Sequence, residues 1–115
     1  MSQAAEQDVV LGVADARFFR ALGDPTRLAI IRLLLTRPRN VSELVAELGA
    51  PQSRVSNHLA CLRWCGFVKT ERKGRQITYS ICDPRLSRLL ILASEMIDDN
   101  RHSLNPFPEP NADWG

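Results

Sequence analysis

No apolar run in this 115-residue sequence is long enough to cross a bilayer. Leu28 to Leu35, with an arginine inside it, and Leu89 to Ala93 both fall well short of the roughly 20 residues that a spanning helix needs. No membrane partner is expected. The stretch Met1 to Asp8 lacks the basic residues and following apolar run of a secretory signal, so a cytoplasmic location is expected. Three cysteines are an odd count for a disulfide framework, and in a reducing compartment they read as free thiols or metal ligands. There is no Cys-x-x-Cys, no glycine-rich phosphate loop and no carboxylate-histidine set able to serve catalysis, which argues against an enzyme.

What is present is the composition of an ordinary globular chain, 44% apolar and 24% charged, of a length suited to one domain. The net charge of +2 is unevenly spread. Pro51 to Ser80 holds six basic residues (Arg54, Arg63, Lys69, Arg72, Lys73, Arg75) and one acidic (Glu71), a net +5, which leaves −3 for the remainder. A basic middle in an acidic chain is the electrostatic footprint of phosphate contact.

The apolar spacing predicts five helices and a hairpin. Val10, Ala14, Phe18 and Ala21 form a helical stripe within Val9 to Leu22. Asp24-Pro25 is a helix-start signal for a second helix to Thr36, apolar over most of its circumference and therefore central, with Pro38 ending it. Ser42 is expected to cap a short third helix, Glu43 to Leu48, closed by Gly49. Pro51 opens a fourth helix that ends at Gly66. Two short helices joined by a tight glycine turn make a helix-turn-helix. Phe67 to Arg72 and Gln76 to Ile81 alternate around the basic tip Lys73-Gly74-Arg75, a β-hairpin that follows the fourth helix as a wing. Asp83-Pro84 starts a last helix carrying Leu86, Leu89, Leu90, Ala93 and Ile97 on one stripe.

The fold class expected is therefore mainly α with a β-hairpin wing, a winged helix-turn-helix of order α-α-α-α-β-β-α. Residues 1–100 are read as the DNA-binding and dimerisation domain, and 101–115, with three prolines, as a flexible tail. The first and last helices carry more apolar surface than so small a core can bury. A homodimer interface that includes Val10, Phe18, Leu89 and Leu90 is the expected remedy.

On the fourth helix Val55, Leu59 and Leu62 point inward, leaving Gln52, Ser53, Arg54, Ser56 and Asn57 on its exposed N-terminal half. Such side chains suit a major groove, where Gln and Asn bond adenine edges and Arg bonds guanine. Arg63 of the same helix, Lys73 and Arg75 of the wing, and His58, for which a structural role is the alternative, complete the residues expected on double-stranded operator DNA.

Ala21-Leu22-Gly23-Asp24-Pro25-Thr26-Arg27-Leu28, then Val55-Ser56-Asn57-His58-Leu59, then Cys65-Gly66-Phe67-Val68 resemble the ArsR/SmtB family of metal-responsive repressors over about Asp8 to Asn100. The resemblance implies a homodimer formed through the first and last helices, an operator with imperfect two-fold symmetry, and repression relieved by an inducer. The family's arsenic-type site would need a Cys-x-Cys on the third helix, where this chain has Val41-Ser42-Glu43-Leu44. Its zinc-type site would need an Asp-x-His pair on the last helix, and Ser87 to Asp99 has no histidine.

What remains is Cys61 and Cys65, a Cys-x3-Cys whose i, i+4 side chains lie with Cβ atoms about 6 Å apart. This spacing resembles the CmtR-type branch, which senses cadmium and lead. Thiolates suit a soft divalent metal as inducer, cadmium or lead first, with zinc or mercury as further candidates. The resemblance implies a third ligand from the C-terminal region; no cysteine follows Asp99, and the candidates are Cys82 and His102. Three other readings stand beside this one: simple packing of the two cysteines; a thiol redox sensor pairing Cys61 with Cys65 or Cys82, strained within one helix because a disulfide needs Cβ atoms roughly 3.5–4.5 Å apart; and a small thiol enzyme or metal carrier.

Overall fold

A computed structural model describes residues 2–101, with side chains from residue 12 onward. The order is α1 (Ser2–Leu22), α2 (Pro25–Thr36), α3 (Val41–Leu48), α4 (Gln52–Trp64), β1 (Val68–Lys73), β2 (Gln76–Ile81) and α5 (Arg85–Arg101). This is the expected order, and the fold is a winged helix-turn-helix. The chain divides after Asp83 into two compact units. Arg101, the first residue of the expected tail, ends α5, and His102 with the rest of that tail lies outside the described residues.

In the first unit α2 packs against α1, α3, α4 and β2, as its near-continuous apolar surface requires. Ile30, Ile31 and Leu34 of α2 are buried together with Leu44 of α3, Val55, Leu59 and Leu62 of α4, and Phe67 and Val68 at the start of the hairpin. Asp24 caps α2 as expected: its Oδ2 accepts from the Arg27 backbone N–H at 3.0 Å, with Pro25 in the first turn, where its missing N–H leaves no bond unmade.

Four helix starts differ from the sequence reading, that of α5 by one residue, at Arg85 in place of Pro84. Helix α1 begins at Ser2, not Val9, because Ala4, Ala5, Glu6 and Gln7 are good helix formers that carry no amphipathic pattern. The cap of α3 is Asn40, not Ser42. Asn40 Oδ1 accepts from the Glu43 N–H at 2.8 Å, while Glu43 Oε1 accepts from the Asn40 N–H at 3.0 Å, a reciprocal capping box. Pro51 stands at the N-cap of α4, which starts at Gln52, because a capping residue keeps extended backbone angles.

Two glycines fix the path around α4. Gly49 closes α3 at φ 63°, its N–H bonded to the Val45 carbonyl at 2.9 Å, and so makes the tight turn into α4. Gly66, at φ 83°, ends α4 in a Schellman motif. The Phe67 N–H reaches the Leu62 carbonyl (2.9 Å) and the Gly66 N–H that of Arg63 (3.1 Å), with Leu62 and Phe67 both buried beneath.

The hairpin is antiparallel, with Lys73 opposite Gln76 across a Gly74-Arg75 turn. A feature absent from the sequence reading extends it. Arg39 pairs with Tyr79 through two backbone hydrogen bonds, 3.1 and 2.7 Å, so the α2–α3 connection adds a one-residue edge to the wing.

Within the second unit α5 has Leu86 buried and Leu89 and Leu90 half-buried, while Ile91, Leu92, Met96 and Ile97 are exposed. In α1, Val13 and Phe19 are exposed. Phe18 is half-buried, its ring stacked on Phe67 with centroids 4.8 Å apart. The side chain of Val10 lies outside those described.

Candidate nucleic-acid interface and thiol pair

Burying Val55, Leu59 and Leu62 fixes the rotation of α4 and leaves Gln52, Ser53, Arg54, Ser56 and Asn57 exposed along its first two turns. Pro51 offers no capping side chain, so none covers the first turn. Arg63 is exposed in the last turn. Lys73 and Arg75 are exposed at the hairpin tip, where the Arg72 guanidinium donates to the Gly74 carbonyl at 3.2 Å.

His58 is set apart from these residues. It is half-buried, and both ring nitrogens face α2 and its cap. Arg27 Nη1 lies 3.3 Å from His58 Nδ1, and His58 Nε2 lies 3.8 Å from Asp24 Oδ2. Because a guanidinium only donates, Nδ1 is the acceptor and the ring proton belongs on Nε2, toward Asp24. Burial raises the Asp24 pKa. The Arg27 backbone N–H, the electrostatic attraction of the His58 ring and the Arg27 guanidinium outweigh it and hold the carboxyl below its ordinary value.

Arg27 binds more than His58. Its Nε donates to the Ala21 carbonyl at 2.6 Å and its Nη2 to the Arg20 carbonyl at 3.1 Å, where α1 ends. The sequence reading gave no role to this residue, although it stands inside the quoted Asp-Pro-Thr-Arg motif. Arg39 was missed as well. It is buried, with Nε 2.6 Å from Glu47 Oε2, and its Nη1 donates to the Leu33 carbonyl, to Thr36 Oγ1 (3.0 Å) and to the Arg37 carbonyl (3.2 Å). No sequence signal announces a lone arginine between Pro38 and Asn40 as a core residue.

Cys61 is half-buried and Cys65 exposed on the last turns of α4. They stand one turn apart, the Cys65 backbone N–H donating to the Cys61 carbonyl at 3.0 Å. Burial first, and then the proximity of Cys61, push the Cys65 thiol above its ordinary value, while the Arg27 and Arg17 guanidinium groups pull it down. Two thiols on adjacent turns of one helix suit one soft cation. Cys82 is exposed, and its backbone N–H bonds to the Phe67 carbonyl at 3.0 Å. Among the described residues no three His, Cys, Asp or Glu side chains gather into a metal-holding group, so Cys82 does not join the pair within one chain. His102 is outside the described residues.

The family model for bacterial regulatory proteins of the arsR family matches residues 24–70, from the α2 cap into β1. A probable mercury resistance operon repressor of Streptomyces lividans is 46% identical over 90 residues, covering 78% of this chain and 72% of that protein. The chain belongs to the ArsR family. This ArsR-family protein is also 48% identical over 75 residues to the regulator CmtR of Mycobacterium tuberculosis, a match that covers 65% of this chain and 64% of CmtR. Among solved structures, the homodimeric winged helix-turn-helix DNA-binding domain of a possible ArsR-family regulator from Mycobacterium bovis superposes with a TM-score of 0.74 at 26% identity, covering 88% of this chain and 94% of that one. As an ArsR-family member the protein is a DNA-binding transcriptional repressor, not an enzyme. Among the described residues no helix is long and apolar enough to cross a membrane.

Proposed function

We propose that this ArsR-family repressor binds a two-fold operator as a homodimer and is released by a soft divalent metal held by Cys61 and Cys65. The observation that carries the reading is the position of two free thiols, one turn apart, on the same helix as the exposed Gln52, Arg54 and Asn57. At 1.5 Å per residue, Asn57 and Cys65 are about 12 Å apart along α4. The name of one relative, the probable mercury resistance operon repressor, supports a metal response and keeps mercury among the ions to test, beside the cadmium and lead that the cysteine spacing suggests. Residues 1–100 would form the working domain, with the exposed apolar residues of α1 and α5 meeting a second copy.

Each side chain then has a task. Arg54, Gln52 and Asn57 read base edges, while Ser53, Ser56, Arg63, Lys73 and Arg75 hold the backbone. His58, engaged with Arg27 and Asp24, steadies the helix at the boundary of that surface. Cys61 and Cys65 would hold one ion as thiolates, with the partner's Cys82, or His102, as the third donor. When bound, the ion supplies a fixed positive centre that ties the end of α4 to a group outside it. A helix so tied cannot keep its first turns seated on both half-sites.

Coupling between two sites is commonly about 1–3 kcal/mol, so operator affinity should fall by roughly one to two orders of magnitude with metal, and DNA should weaken metal binding equally. The test is operator binding by fluorescence anisotropy, with and without cadmium, lead or mercury, for wild type, Cys61→Ser and Cys65→Ser. Ultraviolet titration of the reduced protein is run alongside. Both variants are expected to bind DNA normally, to lose the thiolate-to-metal band and to remain bound when metal is added. Release of either variant at wild-type metal concentrations refutes the proposal.

A further inference from the structure

The guanidinium of Arg27 sits where α1, α2 and α4 meet. The residue belongs to the first turn of α2, and its backbone N–H is held by the Asp24 cap at 3.0 Å, which fixes the base of the side chain. From that base the planar head forks. Nε (2.6 Å) and Nη2 (3.1 Å) take the last carbonyls of α1, from Ala21 and Arg20, and Nη1 takes His58 Nδ1 on α4 at 3.3 Å. The α1 carbonyls are the negative end of that helix and favour a cation on electrostatic grounds alone. The bond to His58 has no such explanation. It ties the helix that carries the exposed reading residues to the end of another, across the core.

We propose that Arg27 is a positioning residue for operator selectivity: its fork, closed on His58, sets the seat of α4 against the end of α1. The proposal rests on the reading of α4 as the DNA-reading helix. Val55, Leu59 and Leu62 fix which face of α4 turns inward, but apolar contacts are non-directional and permit small slides along the helix axis. The directional bonds of a planar fork do not. His58 lies one residue beyond Asn57, so a shift there displaces base-reading side chains, which depend on alignment, more than phosphate contacts, which tolerate displacement. Lysine cannot replace this arrangement, because one ammonium on a flexible stem cannot reproduce a rigid fork that serves two helices.

The experiment compares wild type with Arg27→Lys, His58→Gln and the double variant. The probes are a duplex recovered by selection from a random library with the wild-type protein, and a scrambled duplex of equal length. Arg27→Lys keeps the charge, and His58→Gln leaves the α1 bonds of Arg27 in place, so one of the two remains informative if the other does not fold. Each single variant is expected to lose about tenfold in affinity for the selected duplex, with affinity for the scrambled duplex and the salt dependence unchanged. A purely structural defect removes active protein and lowers both affinities together. The double variant should lose no more than either single one, since both open the same link.

Three outcomes overturn the proposal. One is an unchanged ratio of selected to scrambled affinity, and another is additive losses in the double variant. The third is a fall in scrambled-duplex affinity with a shallower salt slope, which would make Arg27 a phosphate contact. Arg54→Ala, measured beside them, separates the two failures. If it too binds the selected duplex as wild type does, α4 is not the reading helix, and the positioning role falls with it.

Discussion

Replacing Arg39 with methionine keeps the aliphatic stem in its buried place and removes only the guanidinium. Four contacts go: the ion pair with Glu47 at 2.6 Å, and the donations to the Leu33 carbonyl, Thr36 Oγ1 and the Arg37 carbonyl. Their loss is partly made good. The Leu33 carbonyl retains the Thr36 hydroxyl at 2.7 Å, and Glu47 retains Arg37 at 3.7 Å with a side chain that is 34% exposed. The expected cost therefore falls below the 3–5 kcal/mol typical of orphaning a buried charge and near that of one charge-assisted hydrogen bond, about 2 kcal/mol. Urea unfolding followed by circular dichroism, at one protein concentration, should show a lower midpoint with an unchanged slope. The backbone N–H of Tyr79, bonded to the Arg39 carbonyl, should exchange faster with solvent. A loss under about 0.5 kcal/mol, within the range of ordinary surface substitutions, would refute the assignment of Arg39 as the tie between α2, α3 and the wing.

Other changes test single features. Asn40→Ala opens the capping box of α3 and should cost about 1 kcal/mol in the same unfolding assay, whereas Ser42→Ala should cost nearly nothing. Arg54→Ala and Asn57→Ala should each weaken operator binding by about 1–3 kcal/mol per lost bidentate base contact, with the melting temperature unchanged. The Cys65 thiol is held above its ordinary value, so near neutral pH it must lose a proton to bind metal. Metal affinity should therefore rise about tenfold per pH unit between roughly pH 6 and 8 from this group alone, and a pH-independent titration would exclude Cys65 as a ligand.

Where a local signal and the global packing coincide, the elements could be read from the residues. Asp24-Pro25, Gly49 and the Val55, Leu59, Leu62 stripe each declare a helix end or an inward face, and the structure keeps each one. Two differences, at Arg39 and His58, come from partners distant in sequence, and one comes from a local choice. Ser42 is as good a cap as Asn40 by residue type, and only the closing contact with Glu43 separates them. Arg39 makes sense only when Tyr79 and Glu47 arrive. His58 reads as DNA-facing or structural, and its partners in α2 and the α2 cap cannot be seen from its place on α4. The cysteine spacing was visible at once. The surrounding guanidinium groups of Arg17 and Arg27 come from other helices and leave no trace in the spacing itself.

Helix α1 has a consequence of its own. Its end is fastened by buried Ala21 and Leu22, by the Phe18 ring stacked on Phe67 and by Arg27 on its last carbonyls, while residues 12–17 are all exposed. An isolated helical stretch of that length is marginal in water. Under the proposed assembly, its backbone amides become a gauge of association. In dilute protein, exchange should quicken from Ala21 back toward Gly12, and raising the concentration should slow it there first, while the amides of α2, enclosed by their own chain, keep the same pace throughout.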